Sequence, residues 1–190
     1  MGSDLFAGSY NNVVFKSVDN GVNWTRVNTG LTLNQNFIWS FEVVGTTIYA
    51  ATSYGVFSSS DGGANWVPKN TGLLIQDVIS VDVYGSIMYA ITSGGGVYTS
   101  TDSGATWNVS NNGLQRANIN HISKQGTTFF AGTKGAGLFR STDNAATWTT
   151  ANTGLVYGEV LAVEQVDDKF LLASTDGIYS SDDGLSWTIT

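Results

Sequence analysis

Two acidic residues, Asp77 and Glu159, are the first candidates for chemistry. Aligned on the internal repeats of the chain they share one position, occupied by Phe37 and Asn118 in two other copies. A pair of carboxyl groups, one protonating a leaving group and one activating water, is the machinery of an inverting glycosidase when they stand about 6.5–9.5 Å apart. The plainer reading is a polar strand start that hydrogen-bonds loop amides, because carboxylates in clefts need not be catalytic. A milder chemistry is stacking: Tyr10, Tyr54 and Tyr157 fall in expected loops and turns of the same face, where an amphipathic ring can lie on a sugar or anchor a protein. The candidate binding residues are therefore Tyr10, Tyr54, Tyr157, Asp77, Asn118 and Glu159, with Asp77 and Glu159 catalytic only under the hydrolase reading. Trp39 lies close by but aligns with Ile79 and Leu161, which makes packing between sheets its expected role. Further along the same strands Glu42, Asp82 and Glu164 align, with Ser123 in the fourth copy, and solvated polar lining is expected there. His121, the one histidine, has no neighbouring serine or cysteine motif and reads as a core or lining residue.

The elements that must position these residues are marked by an octapeptide that occurs five times. The pattern Ser-x-Asp-x-Gly-x-x-Trp holds at Ser17, Asp19, Gly21 and Trp24; at Ser59, Asp61, Gly63 and Trp66; at Ser100, Asp102, Gly104 and Trp107; and at Ser180, Asp182, Gly184 and Trp187. The fourth copy keeps Ser141, Asp143 and Trp148 but has Ala145 in place of glycine. The aspartate can accept hydrogen bonds from amides of its own turn, and the glycine supplies a positive φ that a side chain resists. The tryptophan opens the next strand and is expected to fold its indole back over the turn. A calcium loop would need alternating Asp/Asn ligands and a terminal glutamate, which the octapeptide lacks. Its expected role is structural, with neither metal nor cofactor.

The box aspartates are spaced by 42, 41, 41 and 39 residues, the period of a propeller blade of four strands at about 40–45 residues. The chain reads as one domain, 1–190, with repeats at roughly 1–27, 28–68, 69–110, 111–151 and 152–190. After each box comes a turn such as Asn70-Thr71-Gly72-Leu73, then an alternating leading strand such as Val78 to Val83. A second strand carries a large residue followed by alanine, read as Phe6-Ala7, Tyr49-Ala50, Tyr89-Ala90, Phe130-Ala131 and Leu172-Ala173. β-Branched and aromatic runs bounded by glycine support strands throughout and no helix. The first repeat begins at its second strand, so nineteen strands are expected. The expected fold is all-β, a five-bladed β-propeller or an open or partial one, with blade one lacking its innermost strand. Ring closure normally removes such edges, which leaves an incomplete ring, part of a longer propeller, or chains that complete one another. The short spacing from Gly177 to Asp182 predicts an irregular third strand in the last repeat.

The five boxes in register resemble those of the Asp-box (BNR-repeat) β-propellers, whose members include sialidases, xyloglucan-cleaving hydrolases, sortilin-type receptors and a photosystem II assembly factor. The resemblance covers nearly the whole chain and implies a propeller rather than one activity. It implies a structural box and an extracytoplasmic or secreted setting, although no signal peptide opens this sequence. Sialidases of that group grip substrate with an arginine cluster, whereas Arg26 and Arg140 belong to outer and box-leading strands that cannot converge with Arg116; sialidase activity is not expected.

Composition narrows the partners. The sequence is 42% hydrophobic and 12% charged, enough for a folded core. A formal charge of −7 repels nucleic-acid backbones and anionic membranes, and no apolar run is long enough for membrane insertion. Without cysteine, disulfides, zinc-thiolate sites and cysteine nucleophiles drop out. Gly94-Gly95-Gly96 is no phosphate loop, because no helix follows it. The expected function is a non-catalytic interaction scaffold binding protein or glycan on the loop face opposite the boxes, or assembling as a homo-oligomer that completes the missing strand. A xyloglucanase-like glycoside hydrolase, or part of one, is the alternative.

Overall fold

The computed structural model describes residues 4–10, 13–31, 37–114, 118–156 and 158–190. Its described residues form nineteen strands and no helix. The first sheet has three strands, β1 (Leu5–Gly8), β2 (Val14–Ser17) and β3 (Thr25–Arg26). The second has β4 (Ile38–Val44), β5 (Thr47–Thr52), β6 (Gly55–Ser59) and β7 (Val67–Pro68). The third has β8 (Val78–Tyr84), β9 (Ile87–Thr92), β10 (Gly96–Ser100) and β11 (Asn108–Val109). The fourth has β12 (Ile119–Gln125), β13 (Thr128–Thr133), β14 (Leu138–Ser141) and β15 (Thr149–Thr150). The fifth has β16 (Val160–Val166), β17 (Lys169–Ser174), β18 (Gly177–Ser181) and β19 (Thr188–Ile189). Neighbours in sequence are neighbours in each sheet, so these are five propeller-type sheets, the first without its leading strand.

Contacts divide the chain into two compact units, Met1–Thr92 with Thr99–Asn108 and Ser93–Tyr98 with Val109–Thr190. The first has a core of Val14, Leu31, Ile48, Ala50, Phe57 and Trp66, flanked by Phe6, Val27, Ile38 and Phe41. The second packs Phe130, Leu138, Ala151, Val160, Val163, Leu172, Tyr179 and Trp187, with Leu155 and Phe170 against them. Burial of each Val, Leu, Ile or Phe side chain among them contributes about 1.5–3 kcal/mol. Ala50 and Ala131 pair with Phe57 and Phe139 across their hairpins. In the fifth sheet Leu172, paired with Tyr179, takes that alanine's place. The expected Leu172-Ala173 alignment is thus one residue late.

The box is a closed hydrogen-bond unit. In the first copy Ser17 Oγ donates to Asp19 Oδ1 at 2.8 Å and accepts from the Gly21 amide at 2.8 Å. The same two bonds recur from Ser59 to Asp61 and Gly63, from Ser100 to Asp102 and Gly104, and from Ser141 to Asp143 and Ala145. The residue before each tryptophan closes the other side. Asn23, Asn65, Thr106 and Thr147 each donate a backbone amide to one carboxylate oxygen and a side-chain group to the other. Two successive left-handed residues make the corner, such as Gly62 (φ 71°) and Gly63 (φ 88°), or Asn144 (φ 58°) and Ala145 (φ 67°). Ala145 is fully buried in that conformation, so glycine is favourable there but not required.

The fifth copy corrects the sequence reading. Its turn is built on Ser181 and Asp183, not on Ser180 and Asp182 as the spacing predicts. Ser181 Oγ donates to Asp183 Oδ1 at 3.0 Å and accepts from the Gly184 amide at 2.8 Å. The amides of Leu185 and Ser186 complete the carboxylate cradle, each at 2.8 Å. One residue fewer leaves a single left-handed position, Gly184 at φ 67°. Asp182 points outward to Lys169 Nζ at 3.1 Å. The contraction therefore falls in the box, and β18 is a regular five-residue strand rather than the irregular one expected.

These cradles hold the carboxyls of Asp19, Asp61, Asp102, Asp143 and Asp183 down from an ordinary 3.8 to about 2. The main cause in each is donation from the residue before the tryptophan, with the serine hydroxyl adding to it. A depressed carboxyl stabilises the fold above its unfolded pKa and loses that contribution as pH falls through its folded one. Urea midpoints are thus expected to hold steady at neutral pH and to fall from about pH 4 towards pH 2. Asp183→Asn will shrink that acid dependence, and Asp182→Asn will leave it nearly unchanged.

Four of the box tryptophans spend the indole N–H outside their own turns. Trp66 Nε1 donates to the Val27 carbonyl at 2.9 Å, Trp107 to Lys69 at 2.8 Å, Trp148 to Ser110 at 3.0 Å and Trp187 to Ala151 at 3.0 Å. Each acceptor directly follows the last strand of the preceding sheet. The main-chain amides of these four also donate to Thr29, Thr71, Asn112 and Thr153, each at 2.8 Å. Trp24 Nε1 instead donates within its own turn, to Gly21 O at 3.0 Å. It is 42% exposed, against 2–4% for the other four.

Candidate functional site

In the second, fourth and fifth sheets the residue ahead of the leading strand is fixed through its backbone. The carbonyls of Phe37, Asn118 and Glu159 accept from the amides of Ser53, Lys134 and Thr175 at 3.2, 2.9 and 3.1 Å. The Phe37 and Glu159 amides donate to Ser53 Oγ and Thr175 Oγ1, both at 3.1 Å. These loops are thereby held against the turns between second and third strands, at the opposite end of each sheet from the box.

Two residues later every leading strand carries a register shift. It lies between Ile38 and Ser40, Val78 and Ser80, Ile119 and His121, and Val160 and Ala162. A bulge inserts one residue and re-aims its side chain. The extra residues are Trp39, Ile79, Asn120 and Leu161. For Trp39 this overturns the packing role: the indole is 48% exposed rather than enclosed between sheets.

The bulge also supplies a carboxylate partner in both units. In the first, Trp39 Nε1 donates to Asp77 Oδ1 at 3.3 Å. In the second, Asn120 Nδ2 donates to Glu159 Oε1 at 2.8 Å, and Lys134 Nζ stands 3.9 Å from that oxygen. Each acid meets a bulge side chain from the preceding sheet. Sequence reasoning missed Asn120 altogether; the signal was the break in alternation that puts a large or polar residue directly after the first apolar residue of the strand.

In the first unit the aromatics form a row. Tyr10 bridges the main chain of Phe37, with their rings edge to face at 4.3 Å and 76°. Phe37 in turn stacks on Trp39 at 4.8 Å and 11°. Tyr10 is 66% exposed. The order along the surface is Tyr10, Phe37, Trp39, Asp77. Tyr54 is also exposed, and its carbonyl accepts from Asn70 Nδ2 at 3.0 Å. Tyr157 and Arg116 lie outside the described residues.

The second aligned acid set is tied into the sheets. Ser80 Oγ donates to Asp82 Oδ2 at 2.9 Å, and Gln125 Nε2 to Glu164 Oε2 at 3.0 Å. Burial, and then the charge of Asp82, raise the Glu42 carboxyl above its ordinary value. Ser123 is buried, and His121 pairs with Gly132 within the fourth sheet.

Comparison with known proteins agrees on the fold. Similar solved structures include YCF48 bound to D1 peptide, 18% identical, with 96% of this chain and 63% of that one covered at a TM-score of 0.72. A GH74 xyloglucanase from Xanthomonas campestris is 15% identical, with 98% and 36% covered at 0.73. The extracellular domain of BT4673 from B. thetaiotaomicron is 12% identical, with 98% and 26% covered at 0.77. This chain spans less than two thirds of the length of each. No curated protein matches the sequence. A β-propeller domain, the DUF6242 beta propeller domain, matches residues 5–119, more than half of the sequence, and the chain belongs to that family.

Proposed function

We propose that this chain is a non-catalytic β-propeller that binds a protein or glycan partner through the loop surface carrying Tyr10, Phe37, Trp39 and Asp77. The observation that carries the reading is the row itself: three aromatics in succession, Tyr10 and Trp39 each against Phe37, the outer two substantially exposed, finishing on a carboxylate. Exposed aromatic patches of this kind mark interaction sites. The five boxes, of the Asp-box type, act as scaffold corners at the far end of the sheets. That a similar propeller, YCF48, is bound to a peptide supports a macromolecular ligand here. A panel of immobilised proteins and glycans probed with the chain and with Tyr10→Ala/Trp39→Ala is the test. Capture that the double variant loses supports the reading; capture by neither, or capture indifferent to the variant, sinks it.

A glycoside hydrolase is the second reading, favoured by the GH74 likeness and by the equivalent placing of Asp77 and Glu159. The scaffold reading expects no reducing ends from xyloglucan or other β-glucans. Release abolished by Asp77→Asn and by Glu159→Gln would replace it with the hydrolase. The edge of β1, where the other sheets carry a leading strand, gives a second copy a place to add one. Sedimentation across a concentration series would show dimers if it does, and a constant monomer mass would remove that part of the proposal.

A further inference from the structure

We infer that the ligand of the Tyr10–Phe37–Trp39–Asp77 row is a neutral glycan of pyranoses, lying with its C–H faces on the exposed rings. The inference rests on the binding reading above and names the class of ligand. Phe37 is the backing of the row, held between the edge-on contact with Tyr10 and the parallel stack with Trp39. Tyr10 and Trp39, 66% and 48% exposed, are the surfaces a ligand meets. A flat aromatic face is electron-rich and attracts the weakly positive C–H hydrogens of a pyranose ring.

The polar groups beside the rings suit hydroxyls. Asp77 Oδ1 accepts from Trp39 Nε1 at 3.3 Å, while Oδ2 has no hydrogen-bond partner among the described residues. The Tyr10 hydroxyl is likewise without one among them. A carboxylate oxygen accepts strongly from a sugar hydroxyl, and a phenol can donate or accept. The row thus presents rings flanked by an acceptor and a donor–acceptor, a pattern met by a ring with an apolar face and a hydroxylated rim.

Two observations turn the choice away from other ligands. One way to bind a polypeptide is to add it as a strand to an exposed sheet edge, which needs free backbone groups. At Phe37 these are taken, the carbonyl by the Ser53 amide and the amide by Ser53 Oγ. An acidic glycan would meet both the Asp77 carboxylate and a chain of charge −7, which repel it. A neutral sugar pays neither cost.

The test is calorimetric titration of the full chain with cellohexaose, with an acidic oligogalacturonide in a parallel arm. Cellohexaose is expected to bind and the oligogalacturonide not to. Trp39→Ala and Tyr10→Ala should each weaken cellohexaose at least about tenfold, and Asp77→Asn by less. Val22→Ser, an exposed residue of the first box, should leave affinity unchanged, and circular dichroism melts confirm that every variant is folded. Cellohexaose binding indifferent to Trp39 and Tyr10, or preference for the acidic sugar, overturns the inference. If no sugar binds but a polypeptide does, in a manner that Trp39→Ala abolishes, the glycan assignment fails and the binding reading stands. If nothing binds at the row, both fail.

Discussion

Gly113→Ala is expected to cost about 3 kcal/mol or more in urea unfolding, an unusually large loss for adding one methyl group. Two effects combine. Gly113 sits at φ 93°, where a side chain meets backbone strain of about 1–2 kcal/mol. The added Cβ would also stand 1.9 Å from the Trp148 carbonyl oxygen, and a backbone oxygen cannot swing aside as a side chain can. That carbonyl is fixed because Trp148 is anchored to the same turn, its amide donating to Asn112 at 2.8 Å. Gly45→Ala is the matched comparison, since φ is 61° there and nothing lies within 4 Å of the added carbon. It should cost only the strain, about 1 kcal/mol. Equal losses at the two sites would show that the approach of the turn to the tryptophan is slack. Gly30, Gly72 and Gly154 face Trp66, Trp107 and Trp187 in the same way, at 2.1 Å.

The second large effect is expected at the tryptophans. Trp148→Ala should destabilise by about 3–5 kcal/mol, because the indole is 3% exposed and its Nε1 satisfies the Ser110 carbonyl at 3.0 Å. Trp148→Phe separates the two contributions: the ring volume is largely kept, and the unpaired carbonyl should account for about 1–3 kcal/mol. Trp24→Ala is the internal contrast. Its indole is 42% exposed and, among the described residues, bonds within its own turn, so a loss as large as that for Trp148 would contradict the role assigned to the acceptor carbonyls of the other four.

Much of the fold was legible because the repeats are long and their punctuation is strong. Asp61, Gly63 and Trp66 announce a turn whose chemistry is local, and local chemistry survives translation into sequence. The nineteen strands and the short first sheet followed from counting between such turns. What escaped was settled by register. Ser180-Ser181-Asp182-Asp183 offers two frames for one box, and only the amides of Gly184, Leu185 and Ser186 select Ser181 and Asp183. The bulge in each leading strand inverts the facing of a single residue, so Trp39 aligns with apolar Ile79 and Leu161 yet emerges beside Asp77. The exposed tyrosine Tyr10 was visible as a candidate, but its alliance with Phe37 joins loops of different repeats, a relation that no periodicity encodes.

The direction of the tryptophan hydrogen bonds gives the molecule a dependency order. Every sheet from the second onward leans on the carbonyl that follows the last strand of the one before it, and none of these four indole N–H groups donates forward. In a chain of units coupled mainly to their neighbours, that makes loss asymmetric. Trimming residues 152–190 leaves Trp66, Trp107 and Trp148 with their acceptors, whereas trimming 1–31 strips Trp66 of Val27, Thr29 and the Gly30 turn at once. The sheets are alike, but they are not interchangeable: each of the last four is a lodger of its predecessor.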